Sequence, residues 1–169
     1  MNTIELRDYV INKHGAQKYG KGENEKPYIF HIDMTYEESL SHGLPSVVSR
    51  ACLGHDLIED TDATYEDLVT VFGEAEATII QAVSDEPGSN RKERKAKTYP
   101  KIKSTPNATP VKLCDRIANL KACLEFKQQG LFDMYSKEHT EFKDQLYVVG
   151  EYVSMWDELD KLFSEGVKS

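Results

Sequence analysis

The sequence has no run approaching ~20 apolar residues, so no membrane-spanning helix is expected. Its first residues, Met1-Asn2-Thr3-Ile4-Glu5-Leu6-Arg7-Asp8, are charged where a secretion signal needs an apolar stretch, and no leader is expected either. Cysteine is scarce: Cys52, Cys114 and Cys123 show no CxxC spacing and read as small core residues, which points to a reducing, cytoplasmic setting. Net positive charge is missing as well. Asp and Glu number 29 against 21 Lys and Arg, a net charge of −8, which argues against nucleic-acid polymers and anionic membranes as partners. An anionic substrate would have to be met by a local basic patch or a metal. Strand alternation, internal repeats, low-complexity tracts and linkers are all lacking. The expected architecture is therefore all-α, one helical bundle domain over residues 1–169.

What is present is helical periodicity. A first helix around Ile4, Val10 and Ile11 fades before Gly20-Lys21-Gly22, and His31 opens or slightly precedes a second that runs to about Ser41. Pro45 suits the first turn of a third helix, with residues 46–59 following, and Thr64 suits the cap of a short helix ending at Phe72-Gly73. Residues 75–83 continue the pattern, and the loop 84–90 holds Pro87-Gly88. Residues 91–103 form a basic helix. Thr109-Pro110 reads as a cap and first-turn proline for a helix to about Gln129. Phe142, Leu146, Val149, Val153, Trp156 and Phe163 trace one closing amphipathic helix.

The chemistry concentrates in His55-Asp56-Leu57-Ile58-Glu59-Asp60. On a helix at about 100° per residue, His55 and Glu59 stand about 40° apart, as do Asp56 and Asp60, so the four span about 140° of one surface. Leu57 and Ile58 point away and can pack into a core. Aiming an imidazole and three carboxylates at one region is unfavourable unless a cation sits there, and a divalent metal is the expected one. A second such helix lies in Lys112-Leu113-Cys114-Asp115-Arg116-Ile117-Ala118-Asn119-Leu120, where Asp115 and Asn119 share a face. Upstream stands His31, after Tyr28 and Phe30. His31, His55, Asp56 and Asp115 could together hold a metal. Two imidazoles with two carboxylates suit manganese, iron or zinc better than magnesium or calcium. Glu59 and Asp60 would then stand free beside it to orient or deprotonate a water.

Three separated strings, Pro27-Tyr28-Ile29-Phe30-His31, His55-Asp56-Leu57-Ile58-Glu59-Asp60-Thr61 and Lys112 to Leu120, agree in order and spacing with one family. The chain resembles the HD-domain metal-dependent phosphohydrolases, and within them the hydrolase domain of RelA/SpoT enzymes and its stand-alone relatives, the metazoan SpoT homologs and small alarmone hydrolases. The resemblance covers roughly residues 1 to 150. It implies an enzyme that removes the 3′-pyrophosphate of (p)ppGpp in a manganese-dependent hydrolysis. In that reading His31, His55, Asp56 and Asp115 match the metal ligands, Glu59 and Asp60 the acidic pair that activates water, and Asn119 a residue near the nucleotide. Zinc and iron are the alternative metals.

Seven of the thirteen residues from Arg91 to Lys103 are basic, and Arg94 and Lys95 are the expected clamps on the distal phosphates. Lys18 and Lys21 lie where the family places basic substrate contacts. Here the chain has Gln17-Lys18-Tyr19-Gly20-Lys21 in place of the Arg-containing cluster of the long enzymes, which bears on guanine recognition. Tyr135 and Lys137 border the pocket in one reading of their string. His14, His42 and His139 have no evident partner and read as surface or structural histidines. Two other functions fit the same residues: an HD phosphatase acting on NADPH or a nucleoside monophosphate, and a non-catalytic nucleotide-binding protein. The oligomeric state is left open.

Overall fold

Helix α1 (Thr3–His14) begins on a capping box, with the Asn2 side chain accepting from the Glu5 N–H and the Glu5 carboxylate accepting from the Asn2 N–H. The computed structural model describes residues 1–167. After α1 comes a two-stranded antiparallel hairpin, β1 (Lys18–Tyr19) and β2 (Lys26–Pro27), with Lys18 opposite Pro27 and Tyr19 opposite Lys26. The sequence shows no alternation there because two residues per strand are too few to display a period. Gly20 turns the chain at φ 80°, and a Cβ on it would stand 2.9 Å from the Asn24 carbonyl oxygen.

Nine helices follow among the described residues: α2 (Ile29–Ser41), α3 (Ser46–Gly54), α4 (Leu57–Asp60), α5 (Tyr65–Phe72), α6 (Glu74–Val83), α7 (Arg91–Ser104), α8 (Ala108–Glu125), α9 (Gln129–Leu146) and α10 (Val153–Glu165). Helix α8 is the axis of the bundle. It packs on α2, α3, α6, α7, α9 and α10 and is buried on nearly every side, with the charged Lys112, Asp115 and Arg116 among its buried residues. The core is continuous from Leu6 and Val10 through Leu53, Leu57 and Ile80 to Ile117, Trp156 and Leu159. The all-α expectation holds, and no described helix is long and apolar enough to cross a membrane.

Four boundaries differ from the sequence reading. The continuous helix over 46–59 is interrupted: α3 ends at Gly54, and Asp56 sits at φ −102°, ψ 0° before the single turn of α4. Gly54 lets α3 press on α5 and α6, since a Cβ there would meet Ile80 Cδ1 at 2.7 Å and Phe72 Cζ at 2.9 Å. The cap of α8 is Asn107, in the left-handed region at φ 68°, with Thr109 already inside the helix. The same helix stops at Glu125 rather than Gln129. Lys127 turns left-handed, and the Gln128 N–H closes on the Cys123 carbonyl at 2.9 Å in a Schellman-type ending. The expected closing helix is two helices, separated by a turn with Gly150 at φ 82° and Tyr152 at φ 50°. Phe142, Leu146, Trp156 and Leu159 are buried, but Val149 is 85% exposed and Val153 50% exposed, because they belong to the turn and its exit.

Candidate active site

The hairpin, α2, the α3–α4 corner and α8 converge on a cavity of about 250 Å³. His31 enters from the first turn of α2 and is buried. His55 caps α3. Its Nδ1 donates to the Cys52 carbonyl at 2.8 Å, one of the last carbonyls of α3. A carbonyl only accepts, so Nδ1 carries the proton and a neutral His55 presents a bare Nε2 to the cavity. That Nε2 stands 3.2 Å from His31 Nε2, 3.0 Å from Asp56 Oδ2 and 3.4 Å from Asp115 Oδ1. His31 Nε2 lies 3.0 Å from Asp115 Oδ1 and 3.5 Å from Asp56 Oδ2.

Two imidazole nitrogens face each other between two carboxylate oxygens. These separations match the edges of a coordination shell with bonds of about 2 Å. The donor set therefore fits a divalent cation, and His31, His55 and Asp56 alone already form a ligand cluster. The carboxylates are held from behind, as metal ligands generally are. Tyr28 donates to Asp56 Oδ2 at 2.8 Å, and Lys112 donates to Asp115 Oδ2 at 3.1 Å. The Asn119 amide donates to Asp115 Oδ1 at 2.9 Å and accepts from the Tyr19 hydroxyl at 2.8 Å. The Tyr19 ring stacks on His31, centroids 4.9 Å apart and 12° from parallel.

The electrostatics are strongly shifted. Burial alone would raise Asp56 and Asp115, but His55 beside the first and Lys112 beside the second hold both below the usual carboxylate range. Burial would lower Lys112, yet the carboxylates of Asp115, Glu59 and Asp85 outweigh it and raise its pKa. Glu59 is raised by burial, with Asp56 and Asp85 adding to it, so its carboxylate is a stronger base than an exposed one. Glu59 Oε1 is steadied by the Asp85 N–H at 2.5 Å, and the residue lines the cavity. Asp60 lies outside the lining and accepts from Gln17 Nε2 at 3.1 Å; the two acids are neighbours in the single turn of α4, so their side chains leave the helix about 100° apart and only Glu59 faces the cavity.

Of the expected substrate contacts, Asn119 and Lys95 line the cavity, while Lys18, Lys21 and Arg94 do not. Lys95 is buried with both Asp85 oxygens within 3.0 Å. The wall also carries Arg91, Lys112 and Arg116, which sequence reasoning did not single out as phosphate contacts. Arg116 is 2% exposed, lies over the Tyr135 and Phe142 rings and donates to Glu138, and its Nη1 has no partner. An arginine beside the metal-type aspartate in the same string was the available signal. Tyr135 does border the cavity. His14, His42 and His139 are each partnered, by Gln17, by Ser154 and Glu158, and by Asp160. All three cysteines are free and buried.

No family model matches the chain. It is 31% identical over 175 residues to a zebrafish (Danio rerio) guanosine-3′,5′-bis(diphosphate) 3′-pyrophosphohydrolase MESH1, covering 98% of this chain and 94% of that protein. It is 32% identical over 126 residues to the guanosine-3′,5′-bis(diphosphate) 3′-pyrophosphohydrolase of Aquifex aeolicus, of which it covers 18%. Among solved structures, a metazoan ortholog of SpoT that hydrolyses ppGpp superimposes with a TM-score of 0.78 at 25% identity, over 96% of this chain and 93% of that one. With its all-α HD-type bundle and near full-length similarity, the chain belongs to the MESH1 family of guanosine-3′,5′-bis(diphosphate) 3′-pyrophosphohydrolases.

Proposed function

We propose that this chain is a metal-dependent enzyme of the cytoplasm that hydrolyses guanosine 3′,5′-bis(diphosphate) and the related pentaphosphate, leaving GDP or GTP and pyrophosphate. One observation carries the reading: two imidazole nitrogens and two carboxylates converge in a cavity whose wall presents Arg91, Lys95, Lys112 and Arg116. A substrate with several phosphate charges needs such a wall in a protein of net charge −8.

His31, His55, Asp56 and Asp115 would hold the metal, with manganese our assignment and zinc or iron compatible with the same donors. When bound, the cation supplies positive charge that acidifies a water and polarises a phosphoryl oxygen. Glu59 takes the proton of the attacking water, for which its raised pKa suits it. The water oxygen bonds to the phosphorus next to the ribose, the 3′ ester oxygen leaves and is protonated, and pyrophosphate departs. Lys95 and the neighbouring arginines bind the diphosphate oxygens. Asn119 holds Asp115 in place and stands at the cavity edge for the nucleotide. Asp60 supports the acidic side from its place beside Gln17 and Tyr28.

The test offers the purified chain ppGpp, NADPH and nucleoside monophosphates with Mn²⁺, with product analysis. Pyrophosphate and GDP from ppGpp are expected at the highest kcat/KM. Faster phosphate release from NADPH would replace the substrate, and binding of ppGpp without turnover would make the protein a sequestering module. Glu59→Gln is expected to keep its metal content and lose roughly 10²-fold or more in kcat. A full rate in that variant would remove Glu59 from proton transfer.

A further inference from the structure

Away from the cavity, α2, α8 and α10 meet in a second cluster of charged side chains. Glu38 and His42 come from the end of α2, Lys121 from α8, and Ser154 and Glu158 from α10. His42 Nε2 lies 2.6 Å from Glu158 Oε2 and 3.8 Å from Glu38 Oε2, and its Nδ1 is 3.0 Å from the Ser154 hydroxyl. Lys121 binds the same two carboxylates from the other side, contacting Glu38 Oε1 and, at 2.8 Å, Glu158 Oε1. Each glutamate thus gives one oxygen to Lys121 and turns the other toward the imidazole nitrogen. Glu38 is 7% exposed, and its inward oxygen, Oε2, has no hydrogen-bond partner. A buried carboxylate oxygen left without a partner is unfavourable, and here it faces a histidine nitrogen and a second carboxylate oxygen.

We propose that Glu38, His42 and Glu158 form a second metal site that takes a divalent transition cation of the zinc class. The three candidate ligand atoms already lie together. Imidazole nitrogen and carboxylate oxygen are both zinc donors, and shifts of a few tenths of an ångström would bring each of the three within about 2.0–2.2 Å of a common centre. His42 Nε2 shares a proton with Glu158 Oε2 at 2.6 Å, and with Nδ1–H given to the Ser154 hydroxyl a cation between the carboxylates would take the place of that proton on the Nε2 lone pair. Counting Lys121, the cluster carries a net charge of −1 when His42 is neutral, which favours a cation. The site would tie α10 to α2, the helix that carries His31, while Lys121 of α8 pairs with the same carboxylates, so its role is structural and does not depend on the substrate of the cavity.

The experiment counts Zn²⁺ retained by the full chain after desalting, measured by elemental analysis. The wild-type chain is expected to hold two equivalents and Glu158→Gln one, with Mn²⁺-supported turnover of Glu158→Gln kept. In a His55→Ala background, where the cavity ligands are broken, one equivalent is expected to remain and to disappear on adding His42→Ala. Circular dichroism checks that each variant is folded. Where His55→Ala does not fold, the Glu158→Gln comparison decides alone. Loss of no zinc in Glu158→Gln, or zinc that survives the His55→Ala/His42→Ala pair, would overturn the second site. Loss of zinc from the cavity alone would instead bear on the catalytic metal.

Discussion

Lys95 illustrates what a single residue contributes through its surroundings. Burial lowers its pKa to about 8, Lys112 and Arg91 push the same way, and Asp85 opposes them. The side chain is therefore cationic below about pH 8 and neutral above it. An anionic substrate meets a cation on the acid side of that value and an amine on the alkaline side, so kcat/KM is expected to fall as pH rises through about 8 to 9. Lys95→Arg keeps its charge past pH 12 and is expected to abolish that alkaline limb. A pH profile identical in both proteins would take Lys95 out of phosphate binding. The sequence shows a basic run but not which member turns inward. Lys97 pairs with Glu93 and Lys101 with Glu86, and Lys95 alone of the run's lysines lines the cavity, beside Arg91. Those choices follow from where α7 lies against α9 and the 84–90 loop, which no local spacing encodes.

At the scale of elements, the corner between α3 and α4 does the positioning. His55 and Asp56 occupy the two residues between the helices, and Gly54 just before them lets α3 close on Phe72 and Ile80. Gly54→Val would insert branched carbon where even a single added Cβ would stand 2.7 Å from Ile80, a fully buried residue. Overpacking of this kind typically costs about 1–3 kcal/mol, more than the fraction of about 1 kcal/mol that valine regains over glycine in a helix. The thermal midpoint is expected to fall, and Mn²⁺ affinity with it, since the corner carries two ligands. A variant as stable as the parent would show the α3–α6 contact to be loose. Periodicity located nearly every helix but misplaced the breaks. Phe142 and Leu146 of α9 and Trp156 of α10 share one core, whereas Val149 and Val153, which carry the apolar repeat across the turn, are exposed, so a repeat does not report that the backbone stays helical.

For the whole molecule, the ligand cluster joins parts of the chain far apart in sequence. His31 belongs to α2, His55 and Asp56 to the corner, and Asp115 to α8. A cation that binds only this assembled set stabilises the fold by mass action, about 2.7 kcal/mol at a hundredfold excess over its Kd. For a chain of this size that corresponds to a rise of roughly 5–10 °C in Tm. Scanning calorimetry of the His42→Ala chain, which lacks the outlying cluster, is expected to show this rise with Mn²⁺ and its loss with a chelator. Asp115→Ala is expected to remove the response. An equal response in that variant would place the stabilising ion elsewhere.

The sequence by itself determined the helical class, the capping of α5, the burial of the cysteines and the identity of the candidate ligands. Each of these is written in local spacing: a period of 3.6, a cap three residues before its partner, an imidazole next to a carboxylate. Tertiary structure alone decided that Glu59 faces the cavity while Asp60 turns to Gln17, that Tyr19 and Tyr28 brace the ligands, and that His42 finds Glu158 across the bundle. The physical reason is common to all three. Which side chains meet depends on helix breaks and crossing positions, and these are set by long-range packing around α8 rather than by neighbours along the chain.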